Sequence, residues 1–188
     1  MNFMIFGEKE LEEYVQSGAE LSSHLISIGN PKKYFGRKNP NQSLNPLFRG
    51  RFKEVLRLSF WDLDNVGQLG HMKPAVIPEI KDVHKVIEFY NKTKAAASGY
   101  FVHCTRGVSR STAVALGLLY LDSGSERTAC ARLKRIRPQA VPLPRIVEFY
   151  DKALGSSLLP FASEMREESL REMQKTFFQE IDELIEEL

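Results

Sequence analysis

Cysteine is scarce: the chain of 188 residues has two, Cys104 and Cys130. Two thiols build neither a disulfide framework nor a cysteine-rich metal cluster, and they suit a reducing compartment. Histidine is almost as rare, with four, and no ligand spacing relates them. His24 is expected at a strand edge, His71 in a loop and His84 on a helix surface, so no metal site is expected. No apolar run is long enough to cross a membrane. The opening stretch, Met1-Asn-Phe-Met-Ile-Phe-Gly, has too short an apolar run and lacks the basic lead of a secretory signal, so a cytoplasmic location is expected. A strong charge of one sign is also missing, the net value being +2. With no aromatic stacking pattern and no recognisable module, nucleic acid is not the expected partner. What is present is a hydrophobic content of 43%, enough for one enzyme-sized domain over 1–155, followed by an appendage over 156–188.

Periodicity organises that domain. Phe3–Phe6 and His24–Ile28 read as short strands flanking a helix at Lys9–Val15, and Val55–Phe60 as another strand. Between them, Pro31 to Arg51 is rich in Asn, Pro and Gly and is expected to be a long loop forming a pocket wall. Val76, Ile80, Val83, Ile87 and Tyr90 recur at helical spacing, which predicts an amphipathic helix over 76–96, ended by Ser98-Gly99. A strand at Tyr100–Val102 follows, then helices over 111–122, from Ser125 and Glu126 to Arg137, and from Pro144, at a first-turn position, to Leu154. Strands alternating with helices imply an α/β three-layer sandwich, with a mostly parallel central sheet of four or five strands flanked by helices.

Residues 103 to 111 read His-Cys-Thr-Arg-Gly-Val-Ser-Arg-Ser, placing Cys104 and Arg110 at the two ends of a five-residue loop between strand and helix. The helix points its unpaired N–H groups and positive dipole end back into the loop, so a tetrahedral dianion fits there. A thiol attacks phosphorus only as thiolate, and a helix N-terminus with an adjacent cation favours that form, so Cys104 is expected to react ionised. Arg110 carries a planar fork matching two phosphate oxygens, a geometry that lysine cannot hold. The N–H groups of Thr105, Arg106, Gly107, Val108 and Ser109 are expected to curl around the anion as a nest, with Gly107 taking a positive φ. Ser111 is near enough to donate its hydroxyl to the sulfur, and His103 is expected to brace the loop. Cys130, among Ala129 and Leu133 at helical spacing, reads as a buried inert thiol.

HCTRGVSRS resembles the Cys-x5-Arg-Ser/Thr loop of the cysteine-dependent protein tyrosine phosphatase superfamily, and is most similar to its small dual-specificity-like, bacterial-type branch. The similarity extends to LRLSFWDLDN before the loop and IRPQAVPLPRIVEFYDKALG after it, over residues 20 to 155. The resemblance implies a phosphatase-like fold and a two-step hydrolysis through a cysteinyl-phosphate, assisted by an aspartic acid, with no metal and no cofactor. Nothing within 104–110 can protonate the departing oxygen, so the acid must come from a separate loop. Asp62 and Asp64 are the candidates, in a stretch broken by Asn65, Gly67 and Gly70 where a flap could swing over the pocket. Asp62 is preferred, because in the dual-specificity-like pattern that LSFWD resembles the acid comes shortly after the strand end, and Trp61 beside it would exclude water. Asp64 could replace it.

A phosphorylated protein, on tyrosine or on serine and threonine, is the substrate the resemblance implies first. A small polyphosphate is the alternative. Arg106, two after the nucleophile, is similar to the loop of atypical members acting on inositol pyrophosphates, and Thr105 to members acting on RNA 5′-triphosphate ends. Both groups follow the arginine with Thr-Gly, whereas this chain has Ser111-Thr112. A phosphate-binding module without turnover and a sulfurtransferase are readings from other classes; the second would need neither Ser111 nor a separate acid. Charge adds one expectation. Residues 156–188 carry −6 and the remainder +8, with eight basic residues between Lys32 and Arg57 and a second cluster at Arg132, Lys134, Arg135 and Arg137. Such a rim would draw in phosphorylated substrates. In the acidic tail, Leu170, Met173, Phe177, Ile181, Leu184 and Leu188 repeat at helical spacing, fitting an amphipathic helix that packs on its own domain, covers the basic rim or forms a homodimer contact.

Overall fold

GYFVHC at Gly99–Cys104 is buried at every position because it runs through the inside of a sheet covered on both faces. The computed structural model describes residues 1–18, 23–31, 33–34, 37–38, 44–64 and 76–186. In chain order its elements are β1 (Asn2–Gly7), α1 (Glu8–Gln16), β2 (His24–Gly29), a short hairpin of β3 (Lys33–Tyr34) and β4 (Arg37–Lys38), and β5 (Val55–Ser59). There follow α2 (Ile80–Thr93), β6 (Gly99–Cys104), α3 (Arg110–Ser123), α4 (Glu126–Ile136), α5 (Pro144–Leu154) and α6 (Leu158–Glu186). The main sheet has four strands, all parallel, in the order β1-β6-β2-β5. The fold is therefore α/β as expected, with four strands in the sheet.

Strand alternation sorts the core into two layers. Ile5, Ile26, Leu58, Tyr100 and Val102 face α2 to α5 and the start of α6. Leu25 and Phe101 face the other way, where α1 contributes Leu11 and Val15 and the 44–53 segment contributes Phe48 and Phe52. Of the Pro31 to Arg51 loop expected to form a pocket wall, Leu44 and Phe48 instead pack on this second face. The helix expected over 76–96 begins only at Ile80. Pro78 bars the residue before it from helical backbone, and the Val76 carbonyl accepts the Trp61 N–H at 2.8 Å. His24 is not at an edge: it is buried on the inner strand β2, its ring 5.5 Å from that of Tyr100. Asn65, Gly67, Gly70 and His71 lie outside the described residues, as does Lys32. Among the described residues no helix is long and apolar enough to cross a membrane.

The C-terminal helix starts inside the main core. Asp151 caps it, one carboxylate oxygen accepting the Leu158 N–H at 2.7 Å and the other the Leu159 N–H at 2.9 Å. Leu158, Ala162 and Met165 then bury themselves with the residues of α3 to α5. Farther along, the expected apolar stripe is exposed, with Leu170 at 41% and Phe177 at 57%. The side chains of Met173, Leu184 and Leu188 are not among those described.

Two buried features make measurable demands. Gly117 on α3 leaves room for the fully buried Tyr150 of α5: a Cβ there would stand 2.2 Å from the ring. Below the reactive loop, on the α1 face, His103 Nε2 and Ser27 Oγ hydrogen-bond at 2.7 Å, and Arg57 donates to the same hydroxyl. Burial first, and the Arg57 charge second, push the His103 imidazole down to about 4. Gly117→Ala is expected to cost about 1–3 kcal/mol through overpacking, read from the urea midpoint; an unchanged midpoint would show that Tyr150 yields freely. His103 must be neutral to stay buried, so its contribution is complete above its ordinary value of about 6.5 and declines as pH falls toward 4, by roughly 3 kcal/mol in total. The melting temperature of the wild type is expected to drop more steeply over that window than that of His103→Asn. Parallel curves would contradict this.

Candidate active site

β6 ends at Cys104 and α3 begins at Arg110, so the chain must turn within five residues at the carboxyl end of an inner strand. In the first half of that turn Gly107 has φ +73°, and a Cβ on it would come within 2.4 Å of the Gly7 nitrogen. Only glycine satisfies both demands.

Four successive carbonyls of the loop are turned outward and held. Thr105 O accepts the Glu8 N–H at 3.2 Å, and Val108 O accepts the Val141 N–H at 2.9 Å. Arg137 donates from Nε to Gly107 O at 3.0 Å and from Nη2 to Arg106 O at 3.4 Å. Across a trans peptide the N–H points opposite to the C=O. The N–H groups of Arg106, Gly107, Val108 and Ser109 therefore face the concave side, where Gly107 N–H reaches Cys104 Sγ at 3.3 Å. These are four of the five N–H groups expected to form the nest. Arg137 is itself aimed by Glu10, at 2.9 Å, whose other oxygen takes the Gly7 N–H at 2.7 Å. Burial alone would raise the Glu10 carboxyl, but Arg137 and the Gly7 N–H outweigh it and hold it below the ordinary carboxylate range.

Inside the cup, the Cys104 thiol is 1% exposed and lies 3.2 Å from Ser111 Oγ. Arg110 is 4% exposed. Its Nη1 donates to Asn30 Oδ1 at 2.8 Å and to Phe60 O at 2.9 Å, while Nη2 donates to Thr105 Oγ1 at 3.0 Å. Nε is buried without a hydrogen-bond partner, and Asp62 Oδ2 stands 4.0 Å from it. One corner of the guanidinium is thus anchored to the strand ends, and the fork of Nε and Nη2 is the edge that can take two oxygens of an anion.

The two candidate acids are separated by their partners. Asp62 is exposed and accepts the Ser109 hydroxyl at 2.7 Å, so it leans over the loop. Asp64 belongs to a different contact: its carboxylate meets the Arg145 N–H at 3.5 Å, and its carbonyl accepts from Arg145 Nη1 at 3.0 Å. Cys130 is buried and unbonded to Cys104, and burial pushes its thiol up to about 11.

Asn30 holds Arg110, Glu10 and Arg137 hold the loop, and Arg145 holds Asp64 and the Pro78 carbonyl, yet nothing in the sequence singled them out as a set. The basic rim expected at 132–137 is not free, because Arg132, Lys134 and Arg137 are paired. Arg137 is committed to the loop carbonyls, Arg132 donates to Asp122 at 2.6 Å and Lys134 to Glu168. Among the described residues, no group of three or more His, Cys, Asp or Glu side chains could hold a metal ion.

No family model matches the chain, and no curated protein matches it in sequence. Solved structures do match in fold. DUSP15 aligns at 20% identity over 88% of this chain and 90% of that one, with a TM-score of 0.58. Human DUSP28 aligns at 18% identity over 81% and 93%, with a TM-score of 0.54. Tk-PTP in its active form aligns at 19% identity over 84% and 90%, with a TM-score of 0.53. The chain has the α/β fold of the small dual-specificity-like cysteine phosphatases, with Cys104 and Arg110 at the carboxyl end of an inner strand.

Proposed function

We propose that this protein is a cysteine-dependent phosphomonoester hydrolase of the dual-specificity type, acting on phosphorylated tyrosine, serine or threonine of a protein through a cysteinyl-phosphate. The observation that carries the reading is the cup itself: loop N–H groups turned to its concave side, the buried Cys104 thiol and the Nε–Nη2 edge of Arg110 come together at the end of β6.

Each residue then has a step. The Cys104 sulfur attacks phosphorus in line, forming the P–S bond as the P–O ester bond breaks, and Asp62 gives its proton to the departing oxygen. The three non-bridging oxygens are held by the loop N–H groups and by Nε and Nη2 of Arg110, which strengthen as charge shifts onto them. In the second step the Asp62 carboxylate takes a proton from water, the water oxygen bonds to phosphorus, and the P–S bond breaks to release inorganic phosphate. Ser111 Oγ, 3.2 Å from the sulfur, donates to the thiolate as it leaves. The proposed steps need no metal or cofactor.

Phosphate release from phenyl phosphate and 4-nitrophenyl phosphate tests the assignment. Cys104→Ser is expected to abolish turnover of both. Asp62→Asn is expected to slow phenyl phosphate by at least about a hundredfold, and 4-nitrophenyl phosphate far less, because its leaving group departs without a proton. Asp64→Asn should leave both rates close to wild type. No turnover by the intact protein would overturn the enzymatic reading in favour of a phosphate-binding module, and the opposite ranking of the aspartates would move the acid to position 64.

A further inference from the structure

A cavity of about 450 Å³ adjoins the 104–110 loop, and Arg166 and Leu170 of α6 line it. That volume is in the range of pockets that take small molecules, about 300–1,000 Å³. Arg106 reaches it from the loop and Arg166 from α6. Among the described residues, neither guanidinium has a hydrogen-bonding or ionic partner. Two carboxylates share the wall: Asp62 accepts the Ser109 hydroxyl, and Asp64 accepts the Arg145 backbone N–H. Leu63, Val108 and Leu170 supply apolar surface between the charges. Both guanidiniums thus line the cavity with donors that no acceptor among the described residues takes, which suits an anion able to bond to both.

We infer that Arg106 and Arg166 form a second anion subsite, which selects phosphomonoesters whose leaving group carries a further phosphate or carboxylate beyond an apolar spacer. The inference rests on the hydrolase reading for its reacting phosphate, but Arg166 lies outside that machinery. It comes from the C-terminal helix, which thereby becomes part of the substrate site. Its depth in the chain accounts for how it is held: Ala162 and Met165, on the preceding turn, are buried in the core.

The test compares 4-nitrophenyl phosphate with benzene 1,3- and 1,4-bisphosphates and with 3- and 4-carboxyphenyl phosphates, on the wild type and on Arg166→Gln. The wild type is expected to show a lower KM for at least one doubly anionic ester. Arg166→Gln is expected to raise that KM roughly tenfold or more with little change in kcat, and to affect the singly anionic ester by a much smaller factor. The bisphosphate and carboxylate arms tell which second group is preferred. Equal effects on both kinds of ester, or no preference in the wild type, would overturn the subsite. If the wild type hydrolyses none of them, the hydrolase reading fails separately. Calorimetric Kd values for the bisphosphates on wild type and Arg166→Gln then judge the subsite, and equal values would overturn it.

Discussion

Outward fixation of four backbone carbonyls is the constraint on which the site depends. A loop that turns its N–H groups inward must turn its C=O groups out, and donors placed on those carbonyls fix the turn in that sense. Here the donors are built into neighbouring elements: the first N–H of α1, the N–H of Val141 and two arms of Arg137. The cup is therefore held open before any anion arrives. Preorganisation of this kind is what lets backbone dipoles act on a charge that develops during reaction.

The fold supplies those neighbours for topological reasons. In the order β1-β6-β2-β5 the loop after β6 lies beside the end of β1, so Gly7 and Glu8 stand against Thr105 to Gly107. On its other side, the ends of β2 and β5 deliver Asn30 and the Phe60 carbonyl to Arg110. Beneath, Ser27, Arg57 and His103 form a polar layer on the α1 face of an otherwise apolar sheet. Such a layer is stable only with the imidazole neutral, so loop support and acid sensitivity share one cause.

Much of this was legible in the chain. Short apolar runs marked β1, β2, β5 and β6 to within two residues at each end, and Pro144 marked the start of α5 without error, because these signals are local. Residues 103–111 read as a strand-to-helix turn from Cys104 to Arg110, and Gly107 takes the positive φ expected of it. Other features were not legible because they depend on distant pairs. Helical periodicity extended α2 back to Val76, but Pro78 outweighed it. Arg137 looked like one of a run of surface cations, since a count of charges does not show which of them face a row of carbonyls. Likewise Asp62 and Asp64 stand two positions apart in one short stretch, and it is the Ser109 and Arg110 contacts of the first and the Arg145 contacts of the second that tell them apart. The tail's periodicity pointed to an apolar stripe from Leu170 onward, whereas the buried stripe runs earlier, through Leu158, Ala162 and Met165.

The central chemical claim is a transient bond between the Cys104 sulfur and phosphorus. Rapid acid quench of the wild type during turnover of an aryl phosphate, followed by mass analysis of the peptide that holds positions 104 to 110, measures it most directly. A phosphoryl group on the Cys104 peptide, absent from Cys104→Ser, is the expected result. Turnover with that sulfur never phosphorylated would contradict the account.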